Sequence, residues 1–317
     1  MKIVSLLPSA TEICFALGLG DDVVGVTHEC DYPPEVREKP KLTRSNLPQD
    51  LQTHPGASPP PNAERSAQID RHVRSNVHEG SSLYDLDAEL LERLNPDLII
   101  TQELCAVCAV SYEIVSSAAK RLGAAPHILS LEPTTLEGIY DTILTVAEFA
   151  NVSEKGKRVV ELLRAGEDAI RVRTRKCDKP RTLLLEWTSP PMGGGHWVAD
   201  LLELAGAEPV LVNRGGDSQA ITWDAIAEAD PDAIFVAPCG YDVRMAKEAI
   251  AAIGAEPDWA GLRAVRAGRA WAVDGNAYVN RPGPRVIRSA EIFAEALHPE
   301  SFAGMIPVDG ALARLTV

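Results

Sequence analysis

The sequence predicts an α/β protein of two lobes, each built on a central parallel sheet. Three observations carry this expectation. Short apolar runs alternate with helical patterns along the chain, as parallel sheets with crossover helices require. One helix–turn–strand unit occurs twice in the same order: Leu91-Glu92-Arg93-Leu94-Asn95-Pro96-Asp97-Leu98-Ile99-Ile100 is echoed by Ile226-Ala227-Glu228-Ala229-Asp230-Pro231-Asp232-Ala233-Ile234-Phe235. The chain has 317 residues, more than one average domain, and 45% of them are apolar, enough for two cores.

The first lobe is expected over residues 1–133. Its strands are expected at 3–7, 23–26, 98–101 and 127–129, each an apolar run bounded by turn residues. Ser9-Ala10-Thr11-Glu12 has capping-box spacing and opens a helix directly after the first strand. Residues 44–62 are polar and contain Pro59-Pro60-Pro61, the composition of an exposed loop. A helix follows at about 64–79. Residues 134–178 read as helical. A second capping box, Thr134-Thr135-Leu136-Glu137, leads into Leu136, Ile139, Ile143 and Val146 at helical spacing. The pattern pauses at Asn151-Val152-Ser153, resumes to Arg175, and is blocked by Pro180. The second lobe, 179–317, is expected to hold strands at 182–186, 233–236 and 270–273. Its helices are expected at 197–204, ended by Gly206, and at 285–297. The helix–Gly–strand step at Leu17-Gly18 recurs at Ala205-Gly206. A duplicated lobe and the common reuse of Pro-Asp turns both account for these echoes.

Charge narrows the function. Lys and Arg number 31 against 45 Asp and Glu, a net charge of −14, so a nucleic-acid partner lacks its basic footprint. No apolar run is long enough to span a bilayer, and no membrane insertion is expected. Met1-Lys2 runs straight into an apolar strand with no leader pattern, so the chain as written reads as cytoplasmic. A start site placed too far downstream would make it periplasmic or extracellular. Six cysteines at 14, 30, 105, 108, 177 and 239 fit reduced thiols. Cys14 and Cys177 read as packing or surface residues.

Ile3-Val4-Ser5-Leu6-Leu7-Pro8-Ser9-Ala10-Thr11-Glu12, Leu94-Asn95-Pro96-Asp97-Leu98-Ile99 and the Gly195-His196-Trp197 step carry a resemblance to a known family. The chain is similar to the cobalamin- and iron-complex-binding solute receptors of ABC importers, the helical-backbone class, and above all to their cobalamin-binding branch. The resemblance spans nearly the whole chain. It implies two Rossmann-like lobes joined by one long α-helix, for which residues 153–175 are the candidate, with a ligand cleft between the lobes. It also implies capture rather than catalysis, cobalamin or a related corrinoid or metal chelate as ligand, an ABC permease as partner, and a monomer. The chain differs from exported receptors in its missing leader, in His28-Glu29-Cys30-Asp31-Tyr32-Pro33, and in Cys105-Ala106-Val107-Cys108.

In open parallel sheets ligands bind beyond the carboxyl ends of the strands. That rule gathers candidate residues. In the first lobe they are Ser9, His28, Glu29 and Tyr32. Here His28, Cys30, Cys105 and Cys108 also form a possible four-ligand set for Zn or Fe, since tetrahedral sites take N and S donors. Two other readings of these thiols stand beside it: small buried hydrophobes, and a CxxC redox enzyme whose thiolate sits at a helix start. In the second lobe, Trp187 and Trp197 are candidates for an aromatic wall against a planar macrocycle. His196 is a ligating or hydrogen-bonding candidate, and three glycines at 193–195 permit close backbone approach to a ligand. Trp197 packing in the core and His196 capping the helix are the plainer alternatives. Tyr241 and Arg281 complete the set, with anchoring of the terminal helix the alternative for Arg281. No Gly-x-Ser-x-Gly elbow and no Gly-x-Gly-x-x-Gly fingerprint occurs. Glu103 and Glu186 are a candidate carboxylate pair, and nothing in the sequence places them at glycosidase separation.

Overall fold

The computed structural model describes residues 1–48, 51–52, 63–78, 83–102, 112–122, 125–253, 257–302 and 310–315. The chain divides into two compact units. Unit 1 is Met1–Gln52, Arg71–Pro133 and Gly138–Glu161; unit 2 is Thr53–Asp70, Thr134–Glu137 and Leu162–Val317. Both are α/β units built on parallel strands, as the apolar alternation predicts.

Unit 1 runs β1 (Ile3–Ser5), α1 (Pro8–Ala16), β2 (Val23–Val26) and β3 (Thr43–Ser45). After α2 (Ala63–His78), whose first half is grouped with unit 2, come β4 (Tyr84–Leu86), α3 (Ala88–Leu94), β5 (Leu98–Thr101), α4 (Tyr112–Ala119) and β6 (His127–Ser130). The sheet order is β2-β1-β5-β6, all parallel, and β3 pairs β4 as a separate antiparallel ribbon. Val4, Leu6, Leu42, Leu91, Ile99 and Val115 form a buried core cluster. The first helix starts earlier than its capping-box pattern suggests. Pro8 occupies its first turn, Leu7 is the N-cap, and no side chain caps it. Proline's fixed φ and absent N–H make it fit a helix start without a cap.

Two helices follow, α5 (Leu136–Phe149) and α6 (Ser153–Thr174). The Leu136 N–H donates to Asp200 Oδ2 at 2.9 Å, a cap supplied by a residue 64 positions away. The long helix α6 belongs to unit 1 as far as Glu161 and to unit 2 from Leu162.

Unit 2 continues with β7 (Arg181–Thr188), β8 (Pro191–Gly193), β9 (Gly195–His196), α7 (Val198–Leu204), β10 (Glu208–Pro209), β11 (Asn213–Arg214), β12 (Gln219–Ala220), α8 (Trp223–Ala229), β13 (Ala233–Val236) and α9 (Val243–Ile253). It ends with α10 (Pro257–Gly261), α11 (Arg263–Arg266), β14 (Ala270–Val273), α12 (Val286–Leu297), α13 (Pro299–Phe302) and β15 (Leu312–Arg314). The parallel set is β10, β7, β13 and β14 in that spatial order. The first residues of β7 face β10, and its last four turn against the antiparallel β8. Antiparallel β15 closes the other edge. Phe235 stacks on Trp271 at 5.2 Å and lies tilted against Phe293 at 4.6 Å, which seats α12 against the sheet.

The spatial orders β2-β1-β5-β6 and β10-β7-β13-β14 are the same arrangement met twice. The repeated Pro-Asp turns do the same work in both. Asn95 and Asp230 end their helices in the left-handed region, at φ 45° and 38°. Two residues on, Asp97 Oδ2 accepts the Lys2 N–H at 2.7 Å and Asp232 Oδ2 accepts the Arg181 N–H at 2.9 Å. Each aspartate thus ties the start of one central strand to the start of its neighbour. Gly18 and Gly206 also match, at φ 69° and 80°, each ending the helix before the next parallel strand. Asp97→Ala and Asp232→Ala are each expected to cost about 1 kcal/mol, the net value of one intramolecular hydrogen bond. Urea denaturation checks this; a cost confined to one site would argue against equivalence. Among the described residues no helix is long and apolar enough to cross a membrane.

Candidate functional site

In unit 1 the parallel strands deliver their carboxyl ends to one edge, and β2 exits into Thr27-His28-Glu29. Thr43 Oγ1 donates to Thr27 Oγ1 at 2.9 Å, so its proton is committed. It accepts from the His28 backbone N–H at 3.1 Å and stands 2.7 Å from His28 Nδ1. These contacts fix the orientation of the His28 ring through its Nδ1 side. The His28 ring tilts against Tyr84 at 5.6 Å, and Tyr84 Oη donates to Glu29 Oε1 at 3.3 Å. His28, Glu29 and Tyr84 are thus one polar-aromatic group, with Tyr84 a member that the sequence did not flag.

The other unit 1 candidates fall elsewhere. Ser9 is buried in the first turn of α1, and Tyr32 is exposed. Cys30 is buried, with Sγ 3.1 Å from Thr11 Oγ1, which itself donates to Ser5 Oγ at 2.8 Å. Cys105, Cys108 and Glu103 lie outside the described residues. Among the described residues no three His, Cys, Asp or Glu side chains cluster so as to hold a metal ion. Cys14 is fully buried, and burial pushes its thiol up to about 12, which makes it the inert packing residue that its helical spacing suggests.

In unit 2 the carboxyl end of β7 places Trp187 edge-on to Tyr241, with ring centroids 5.4 Å apart. The Trp187 indole N–H donates to Ser189 O at 3.1 Å, which holds the ring in place. Tyr241 is 1% exposed and packs with Met245 and Ala249 of α9. Its backbone carbonyl accepts from Asn276 N at 3.2 Å, and Asn276 Oδ1 accepts from Arg281 Nη2 at 3.2 Å. Arg281 is itself buried. Trp187, Tyr241, Asn276 and Arg281 therefore form one contiguous group drawn from three strand ends.

The Gly-His-Trp step serves the unit's own architecture. Trp197 is buried, and its indole N–H donates to Val279 O at 2.9 Å. His196 stands at φ 50°, stacks on Trp197 at 5.6 Å, and holds Nε2 3.2 Å from Asp217 Oδ1 at an angle that makes no hydrogen bond. The expectation that the three glycines admit a ligand is corrected here. A Cβ at Gly193 would collide with the Leu211 carbonyl, and one at Gly195 would lie 2.7 Å from Gly216 O and 2.8 Å from Asp217 C. The space that the missing side chains leave is filled by Leu211 ahead of β11 at Gly193, by the Val198 side chain at Gly194 and by the loop after β11 at Gly195. The loop after β11 is tied down by Ser218, whose hydroxyl donates to Glu186 Oε2, while the Gly195 N–H bonds the same carboxyl group. Burial pushes the Glu186 carboxyl up to about 7, against the opposing pull of these two bonds. The sequence gives no warning of the Glu186–Ser218 contact, because it spans 32 residues.

Comparison with known proteins matches the fold and its length. A family model described as periplasmic binding protein matches residues 3–277. The uncharacterized ABC transporter substrate-binding lipoprotein YvrC of Bacillus subtilis is 26% identical over 309 residues, covering 95% of this chain and 81% of that protein. The crystal structure of the periplasmic vitamin B12-binding protein BtuF of Vibrio cholerae superposes with a TM-score of 0.64 at 22% identity, covering 95% of this chain and 98% of that one. The periplasmic heme-binding protein RhuT from Roseiflexus sp. RS-1 gives a TM-score of 0.67 at 22% identity, with the same coverage.

Proposed function

This chain belongs to the periplasmic binding protein family, and from that premise we propose that it captures a metal-centred tetrapyrrole, cobalamin or a related corrinoid or haem, and hands it to an ABC permease. The carrying observation is Trp187, set edge-on to Tyr241 at the carboxyl end of β7 and held there by its own indole hydrogen bond. Large rigid aromatic surfaces at the carboxyl ends of parallel strands suit a planar conjugated ligand. The vitamin B12 and haem ligands named for two structures of the same fold support that class. Capture needs shape and a few oriented polar groups, and no step of bond-making. On this reading the working protein is periplasmic or extracellular, as the substrate-binding lipoprotein relative is an ABC transporter component.

Titration with cyanocobalamin and with haemin, followed by visible absorption and by melting temperature, tests the reading. A ligand at 100 times its Kd is expected to stabilise the fold by about 2.7 kcal/mol. Trp187→Ala is expected to weaken binding about tenfold or more, as loss of a stacking aromatic does. No saturable spectral change and no stabilisation by either ligand would remove the proposal.

A further inference from the structure

The amino ends of the unit 2 strands carry a different feature, on the sheet edge opposite Trp187. Strands β7, β13 and β14 run parallel and start at Arg181, Ala233 and Ala270. Before those starts lies a groove of about 770 Å³, lined by residues 176–180, 232, 263, 267, 269 and 297–301. The chain has a net charge of −14, yet six of its 31 basic residues fall within 171–181, against one acid, Asp178. Cations at the carboxyl end of α6 complement the helix dipole, which accounts for Arg171 and Arg173. It does not account for Arg269, in the turn between α11 and β14. The Arg269 backbone is pinned on both sides: its N–H donates to Ala264 O at 2.7 Å, and its carbonyl accepts from Ile234 N at 2.9 Å. Its side chain is half-buried with Nε enclosed, and among the described residues no hydrogen bond or ion pair engages the guanidinium. An enclosed charged donor without an acceptor is costly, and such a group calls for an explanation. The acids on the groove do not supply the acceptor. Asp232 is taken by the Arg181 N–H at 2.9 Å and by Arg263 at 2.6 Å, and Asp178 and Glu300 are exposed and pair with neither Arg269 nor the lysines. Lys176 and Lys179 are exposed and enter no ion pair among the described residues. Burial lowers the His298 imidazole, the Arg269 charge lowers it further, and the Gly206 and Ala205 carbonyls and Asp178 oppose this, so the ring is neutral at physiological pH. The groove thus holds Lys176, Lys179 and Arg269 as cations that no carboxylate of the chain pairs, and Arg269 is fixed in place by its backbone.

We propose that this groove is a separate binding site for a small soluble molecule bearing a phosphate group, with Arg269 as its fixed contact and Lys176 and Lys179 adding charge. The guanidinium fork takes phosphate oxygens in a bidentate pair, and the lysine ammonium groups act on the same group as point charges. A multiply charged phosphate answers several cations at once, which a lone carboxylate does not. The groove is larger than a bare phosphate and of the size that holds a small ligand, so it admits the rest of a phosphorylated molecule. The site stands on the opposite edge of the sheet from Trp187 and does not rest on the tetrapyrrole reading.

Calorimetry and melting temperature test the site on the full chain, with inorganic phosphate and glycerol 3-phosphate as probes and potassium chloride at matched ionic strength as the control. The wild-type protein is expected to bind both probes saturably and to melt higher in either than in chloride. Arg269→Gln is expected to weaken both probes at least about tenfold, the discrimination of one charge-assisted pair, and Arg269→Lys to restore part of the loss. In phosphate-free buffer Arg269→Gln is expected to be no less stable than the wild type, because it removes an enclosed donor that lacks an acceptor; an arginine with a purely structural role would lose stability in both buffers. The double variant Lys176→Gln/Lys179→Gln, at two exposed positions, is expected to weaken both probes with the fold unchanged, which keeps the test informative if Arg269→Gln folds poorly. Haemin and cyanocobalamin titrations are expected to be the same in every variant. Absence of saturable binding of both probes overturns the proposal, as does a phosphate response that survives both Arg269→Gln and the double lysine variant. Binding to phosphatidylglycerol vesicles without a response to either soluble probe also overturns it. Failure of haemin and cyanocobalamin to bind removes the tetrapyrrole reading and leaves this site standing.

Discussion

Gly195→Ala is expected to destabilise unit 2 by about 3 kcal/mol, at the upper end of overpacking costs. The added methyl would press on Ser218 N and lie 2.7 Å from Gly216 O and 2.8 Å from Asp217 C. All three are backbone atoms of one loop, and they cannot swing aside as a side-chain tip can. The loop is further pinned by the Ser218 and Gly195 bonds to Glu186, so relief by shifting would break them. Gly261→Ala is the matched control. It lies in α10, where among the described residues no atom beyond its own helix backbone and chain neighbours comes within 4 Å of the new methyl, and a helical Ala is expected to be neutral or to stabilise by up to about 1 kcal/mol. Urea denaturation of the two variants measures the contrast. Equal stabilities would mean that the glycines are not there for backbone contact, and the ligand-approach reading of 193–195 would return.

Glu186→Gln is expected to remove a pH dependence of about 3 kcal/mol. The folded carboxyl holds its proton up to about 7, whereas an unfolded one releases it near 4.5. Between those values the unfolded chain has already ionised and the folded chain has not. The stability associated with Glu186 is therefore complete below pH 4.5 and is lost as pH rises through 7, at about 1.4 kcal/mol per unit of separation. Glutamine keeps an acceptor for the Ser218 and Gly195 donors and carries no charge. The variant is expected to match the wild type near pH 4.5 and to exceed it above pH 7. Unfolding midpoints at pH 4.5 and 8 decide the matter; parallel pH profiles for the two proteins would show that Glu186 ionises freely in the fold.

Local pattern accounts for most of the architecture. The strands at 23–26, 98–101, 233–236 and 270–273 stand where their short apolar runs put them, because a strand buried on both faces must be apolar throughout. The Pro-Asp echo is legible for the same reason. Its left-handed helix end and its aspartate cap act within a few residues, except for the reach to Lys2 and to Arg181. The end of β7, where Trp187 stands, follows from strand position, and so does the placement of Tyr241 beyond β13.

What only the tertiary structure decided are the contacts between distant segments. Three glycines before a helix look the same whether a ligand or the chain itself approaches them, and here Leu211, Gly216 and Asp217 fill the space. Cys30 joins the Cys105–Cys108 pair as a candidate ligand by strand position alone, and the fold sets its thiol 3.1 Å from the Thr11 hydroxyl. Arg269 reads as one more charge in a turn until the fold encloses its Nε without a partner. Periodicity and turn chemistry are local forces that any short window of sequence displays. Burial of a charge, closure of a loop on a glycine and the meeting of two aromatic rings depend on which distant segments share one space. The sequence by itself therefore determined the α/β class, the positions of most strands and the family resemblance, and the folded packing decided the strand order and what lies against its glycines, thiols and charges.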